Sequence, residues 1–246
     1  MRQPTMIRSL IIAVCIVVSL GTSDARAADK SPVATMHKPV GSVECSADGP
    51  WKKAVPAMPL YSGNRVRTGA ASFAIVKFLE RSILRVQELS EVTISGTKSP
   101  GKEFSKNVLL GRGTVGFSVK KRPNEKFEFT TPTSVASIRG TEGALISERD
   151  SSDLLVLSVG IVVLTNIFSN RSVTVNQGET GLSFPNGQIS VRVSVPEDLR
   201  RMQRVQLLGS ADSTGGTGSH DGRTDEVRIK MTNPQGAHKT MIIKYE

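Results

Sequence analysis

The chain has 246 residues, enough for one or two domains with a sizeable core. Hydrophobic residues make up 38% and aromatics only 4%, so the core rests on Val, Ile and Leu, and 22 Gly with 12 Pro favour many short strands over long helices. The formal charge of +10 draws the chain toward anionic surfaces, but its basic residues are scattered and not interleaved with aromatics, which argues against a nucleic-acid reader.

Residues 1–27 read as a secretory signal. Arg2 and Arg8 supply a positive start, residues 10–20 form a short apolar run, and Ala25-Arg26-Ala27 is a small-x-small cleavage site. Cleavage is expected after Ala27, which makes the mature chain periplasmic or secreted, with no stable membrane span. The alternative is an uncleaved N-terminal anchor. Loss of Arg2, Arg8, Arg26 and Asp24 leaves a mature charge of +8. Cys15 leaves with the signal, so Cys45 stands alone and forms no internal disulfide. It reads as a buried small hydrophobe.

Residues 28–39 are polar and mixed and read as a flexible leader. A β-domain is expected over 40–195, beginning with a short strand at 40–43 and with Trp51 packed over the end of a sheet. Strand character follows at 73–78, 83–86, 91–95, 107–110, 114–119, 126–130, 154–159, 161–165 and 172–175. Residues 188–195 alternate strictly, placing Ile189, Val191, Val193 and Val195 on one face. Period two at this spacing predicts a sandwich, barrel or solenoid.

The texture changes at Pro196. Residues 196–208 read as a helix, with Pro196, Glu197 and Asp198 in the first turn and Gly209 after its end. Leu199, Met202, Val205 and Leu208 form one apolar stripe that must dock on an apolar surface. Residues 209–224 are rich in Gly, Ser and Thr and read as a linker. Residues 225–246 read as a β-hairpin turning at Asn233-Pro234-Gln235-Gly236. A lone hairpin is marginal in water, so it is expected to add to a sheet edge of this chain or of another.

An ordered series of segments runs from Val40 to Phe184: Gly41-Ser42-Val43, Trp51, Leu60 to Gly69, the pair of strands around Glu80-Arg81-Ser82, Leu110-Gly111-Arg112-Gly113-Thr114-Val115, Phe127 to Pro132, Arg139-Gly140-Thr141, Leu157 to Val162 and Val175 to Gly178. This series resembles the FecR domain, a bacterial extracytoplasmic β-domain. Asn64 stands where that family has Asp, and Glu80-Arg81-Ser82 stands for Asp-Gly-Ser, which puts the tight turn there in question. The resemblance implies an all-β fold, solenoid-like or a rolled β-sandwich, and a signalling or binding role. The regulators that named the family carry a cytoplasmic anti-sigma segment and a membrane helix before this domain. Here only nine residues precede the apolar run, so the expectation is an exported module without that output.

Catalytic signals are weak. Gly111-Arg112-Gly113-Thr114-Val115-Gly116 fits a dinucleotide pattern, yet strand-like residues follow it where a helix would be needed. His37, His220 and His238 have no metal-ligand spacing. An envelope hydrolase would need acids facing across a cleft, and the near pairs Glu88 with Glu91 and Asp150 with Asp153 fall near predicted turns. No enzyme activity and no cofactor or metal are therefore expected. The candidate partner-binding residues are Lys120, Lys121 and Arg122, the densest charge cluster, and Arg139. Arg139 reads either as a corner residue bonding backbone carbonyls or as a partner contact. The expected partners are an envelope protein or a cell-wall glycan, and a second possibility is a trans-envelope signalling system with a separate membrane partner.

Overall fold

The computed structural model describes residues 31–97, 104–123, 125–148 and 152–209, and the backbone of 226–232 and 238–244. The first eight strands are β1 (Ala34–Val40), β2 (Val43–Ser46), β3 (Lys52–Lys53), β4 (Pro59–Leu60), β5 (Asn64–Thr68), β6 (Phe73–Phe78), β7 (Ile83–Val86) and β8 (Glu91–Thr97). A long strand β9 (Phe104–Ser118) follows, then β10 (Glu125–Thr130), β11 (Ser134–Ile138), β12 (Glu142–Ser147), β13 (Asp153–Val159), β14 (Ile161–Asn166), β15 (Ser172–Asn176), β16 (Glu179–Ser183) and β17 (Ile189–Val193). The helix α1 (Pro196–Gln206) precedes β18 (Glu226–Thr232) and β19 (His238–Lys244). The fold is all-β with one helix among the described residues.

Strand pairing gives two layers joined through β9. One sheet runs β4-β1-β6-β7-β9-β12-β13-β16-β17. The other runs β3-β2-β5-β8-β9-β10-β11-β14-β15. Up to Arg112, β9 pairs with β8 in the second sheet; from Gly113 it pairs with β12 in the first. Gly113 sits at this bend with φ +102°. A Cβ there would lie 2.1 Å from Ser90 Oγ, the atom that accepts the Thr114 N–H. Only Gly fits both the angle and the contact. The β9–β10 pair is parallel, and parallel neighbours need a crossover of about a dozen residues. The second half of β9 and the turn after it provide that crossover through the opposite sheet, which rolls the chain around its core.

Alternating residues of both sheets fill the space between them. Val66, Val92, Ile94 and Val108 from one meet Val76, Leu84, Val86 and Val115 from the other in a single cluster. The few aromatics are concentrated here: Phe78, Phe117, Phe127 and Phe129 pack with ring centroids 4.9–5.4 Å apart. Cys45 joins this core, and burial pushes its thiol up to about 11.

A second, smaller core lies on the outer face of the first sheet. There Met202 and Val205 of α1 cover Ala144, Ile146 and Val156, with Leu199 and Leu208 at the margin. The stripe read from the sequence is thus the docking face. The helix is fixed at its start by Asp198, which accepts hydrogen bonds from Arg192, Thr180 and the Val195 N–H. Its far end is tied by Gln206, whose side-chain amide donates to the carbonyls of Gly143 and Phe117.

Several expectations change. The leader over 28–39 is not one throughout: Ala34–Val40 is β1, paired with β6, and Val33, Ala34 and Met36 are core residues. The expected strand at 40–43 is instead a turn between β1 and β2, with Gly41 at φ +75°. On β17 only Ile189 and Val191 reach the core, while Val193 is 76% exposed, because β17 is an edge strand that outruns the layer beneath it. β18 and β19 pair with each other in a separate two-stranded sheet among the described residues. The signal segment and most of the linker lie outside the described residues. No helix among the described residues is long and apolar enough to cross a membrane.

Candidate functional site

Most polar residues of two segments, Leu60 to Gly69 and Thr131 to Ser134, are used inside the fold. In the first segment, Asn64 Oδ1 accepts the Tyr61 N–H, so Asn closes this turn as an Asp would. Thr68 donates to the Gln87 carbonyl and accepts from the Ser90 N–H, and the Gly69 N–H donates to the Ser42 carbonyl. Arg65 and Arg67 stack on Trp51, with guanidinium carbons 4.8 and 4.2 Å from the ring centre, and Arg67 also pairs with Glu44. Trp51 therefore covers the outer side of β5.

The second segment makes a buried polar knot between the sheets. Asp153 Oδ2 accepts from the hydroxyls of Thr131 and Thr133 and from the Thr133 N–H. Ser134 donates its N–H to Thr131 Oγ1, and Ser183 donates to the Thr133 carbonyl. Asn166, fully buried, donates to Ser183 and to the Phe184 carbonyl and accepts from the Phe168 and Ser169 N–H groups. These bonds join β10–β11 and β14 in one sheet to β13 and β16 in the other. The Asp153 carboxylate is buried and bonded through Oδ2, while its Oδ1 has no hydrogen-bond partner among the described residues. Glu88, the member of the other acid pair nearest a turn, accepts the Ala71 N–H.

The turn at Leu79 to Ser82 forms despite its sequence. Arg81 takes φ +73°, with Phe78 N–H bonded to the Ser82 carbonyl and Arg81 N–H to the Phe78 carbonyl. Beneath this turn, Lys106 is buried between two carboxylates, 2.5 Å from Glu80 and 3.0 Å from Glu125, with its ammonium over the Phe104 ring. Glu80 Oε1 is buried and has no hydrogen-bond partner among the described residues. The triad forms part of the wall of an open cleft of about 940 Å³ that Tyr61, Leu79, Phe104 and Arg122 also line. The sequence reading did not find Lys106. A lysine on an alternating strand reads as solvated, and its two partners are distant in sequence.

The four cations singled out from sequence do meet. The end of β9 lies between the start of β7 and the start of β12. The Lys120 N–H donates to Ser82 Oγ, and the Val119 N–H donates to the Thr141 carbonyl. Gly140, at φ +68°, lets Lys121 pack against its backbone: a Cβ there would be 2.9 Å from Lys121 Cβ. Lys120, Lys121, Arg122 and Arg139 are all exposed and share one end of the two layers. Arg139 bonds no backbone carbonyl among the described residues, so the reading of it as a carbonyl-binding corner residue is corrected: Gly140 makes the corner and Arg139 projects from it. The Gly111 to Gly116 pattern lies within β9 at the bend between sheets and opens no helix.

A search of curated proteins finds no match to the sequence. Two crystal structures of an anti-sigma factor candidate from Parabacteroides distasonis ATCC 8503 are similar to 55% of this chain, at 11% and 12% identity and TM-scores of 0.47 and 0.48. The similarity covers 62% of each of those chains, so this chain spans less than two thirds of their length. The family model described as FecR protein matches residues 64–162, from β5 to the start of β14. Residues 64–162, the part of the β-body built around the rolled strand β9, are accordingly a FecR domain.

Proposed function

We propose that this chain is an exported, non-enzymatic FecR-domain binding or scaffold protein of the bacterial envelope, acting in the periplasm on protein or glycan partners. The observation that carries the reading is the division of labour among polar residues. The hydroxyls of Thr131 and Thr133, the Asn166 amide and Asp153 Oδ2 are spent on holding the two sheets together, while the exposed cations at one end have no carboxylate partner among the described residues. A protein with its buried polar groups committed to structure and a convergent charged surface is arranged to bind rather than to transform.

The signal-like residues 1–27 support export, and the FecR match supports a second, related reading: a periplasmic component of a trans-envelope signalling system with a separate membrane partner. Expression in a bacterial host, fractionation and crosslinking test both. The reading expects a mature chain lacking residues 1–27 in the envelope fraction, crosslinked to a discrete partner. An integral membrane sensor as that partner selects the second reading. A full-length chain in the cytoplasm overturns both.

A further inference from the structure

The end of the sandwich that carries the four cations has a fifth that the sequence did not group with them. Arg81 is exposed on the neighbouring turn, one residue from the Ser82 hydroxyl that accepts the Lys120 N–H. Three turns thus lie side by side, each presenting cations: Arg81, then Lys120 to Arg122, then Arg139. None of the five has an ion-pair partner among the described residues. Acids do stand nearby but are spoken for. Glu80 and Glu125 are held by Lys106, Glu142 accepts the Ser118 hydroxyl, and Glu128 pairs with Lys126.

Two further features make this end more than a solvated edge. Arg81 occupies a left-handed conformation that costs a non-glycine residue about 1–2 kcal/mol. Strain of this kind collects at functional surfaces. Apolar side chains also flank the cations. Leu79 is 63% exposed on the Arg81 turn, at the mouth of the cleft that Arg122 borders. Ile161 is 60% exposed on the far side, just past Gly160, whose backbone approaches Gly140 and Thr141. A second copy of this chain, itself strongly basic, does not complement such a surface.

We infer that this end docks an acidic, extended protein segment, its carboxylates on Arg81, Lys121 and Arg139 and an apolar side chain against Leu79. The assignment rests on the binding-module reading and names the chemistry of its partner. The probe is a fluorescein-labelled peptide of Asp and Glu with two spaced Leu residues, titrated by anisotropy against the full mature chain. Binding is expected, weakening at least about tenfold between about 0.02 M and about 0.15 M salt as screening sets in. It is expected to fall at least about tenfold in the triple variant R81E/K121E/R139E and several-fold in Leu79→Ser. The triple variant R81Q/K121Q/R139Q, which adds no repulsion, is the control for folding and is expected to weaken binding in the same direction.

Absence of peptide binding by the wild-type chain, or wild-type affinity in both triple variants, overturns the inference. So does tighter capture of phosphatidylglycerol–phosphatidylethanolamine vesicles than of the peptide, which would make this end a lipid surface. Crosslinking in cells separates this failure from failure of the wider reading. Envelope crosslinks that persist in the triple variant sink the acidic-segment assignment alone, whereas no crosslink from the wild-type chain sinks the binding-module reading itself.

Discussion

Replacing Lys106 by Met is the substitution this structure predicts to be most damaging for its size. The aliphatic stem is kept, so the loss isolates the ammonium. That group lies 2.5 Å from Glu80 and 3.0 Å from Glu125, and the Lys106 and Glu80 side chains are 2% and 4% exposed. Without it, the buried Glu80 carboxylate loses its ion-pair partner. Removing one partner of such a buried pair costs about 3–5 kcal/mol, because the remaining charge keeps its desolvation penalty and loses its compensation. Against a total stability of about 5–15 kcal/mol for a domain, that is about a fifth or more. Glu125 is 27% exposed and rehydrates, so the cost falls mainly on Glu80. The double variant K106M/E80M removes both charges at similar volume and is expected to recover to within about 1–2 kcal/mol of wild type. Urea unfolding followed by far-UV circular dichroism gives both differences by linear extrapolation. A loss below about 1 kcal/mol for Lys106→Met would refute the argument, since an uncompensated buried carboxylate cannot be that cheap. A double variant as unstable as the single one would show that packing, not charge, was lost.

Other expectations follow from single contacts. Burial alone would raise the Asp198 carboxyl, but hydrogen bonds from Arg192, Thr180 and the Val195 N–H hold it below its ordinary value of 3.8. A lowered folded value means that this contribution is present in full above the unfolded value and is lost as pH falls through the folded one. Asp198→Asn is therefore expected to cost about 1–3 kcal/mol at neutral pH, with the gap to wild type closing in acid, as thermal melts across pH will show. Arg81→Gly relieves a positive φ and is expected to stabilise by about 0.5–1 kcal/mol net of the entropy Gly adds to the unfolded chain. A fall in melting temperature would contradict it. Cys45, buried and with its thiol raised to about 11, is expected to react with a disulfide reagent only on unfolding, so that labelling in urea tracks the circular dichroism transition. Deleting 210–246 is expected to leave the melt of the body unchanged, because among the described residues both cores are built from 33–208.

The family, the fold class and the helix were legible in the sequence because each rests on local pattern. Pro196 and the three-residue stripe through Val205 define a helix wherever it docks, and alternation such as Glu91 to Ile94 defines a strand before its partner is known. β1 was hidden because His37, Lys38 and Pro39 break its alternation. They are tolerated there because past Met36 the strand has a neighbour on one side only, β6. The role of the Thr131 to Ser134 segment was hidden for a different reason. Its hydroxyls look like candidate chemistry until Asp153, Asn166 and Ser183, up to 50 residues away, are seen to consume them. The cationic end was half legible. Lys120 to Arg122 is a run in sequence, but Arg81 and Arg139 join it only through the pairing of β7 and β12 with β9.

The central claim is that function lies on the cationic end and structure in the buried motif residues. Site-specific photocrosslinking in intact bacteria tests it most directly, with the crosslinking residue placed at position 121 or at position 88, a turn at the other end of β7. The account predicts a discrete adduct in the envelope fraction from position 121 and none from position 88. Equal adducts from both positions, or an adduct from position 88 alone, would contradict it.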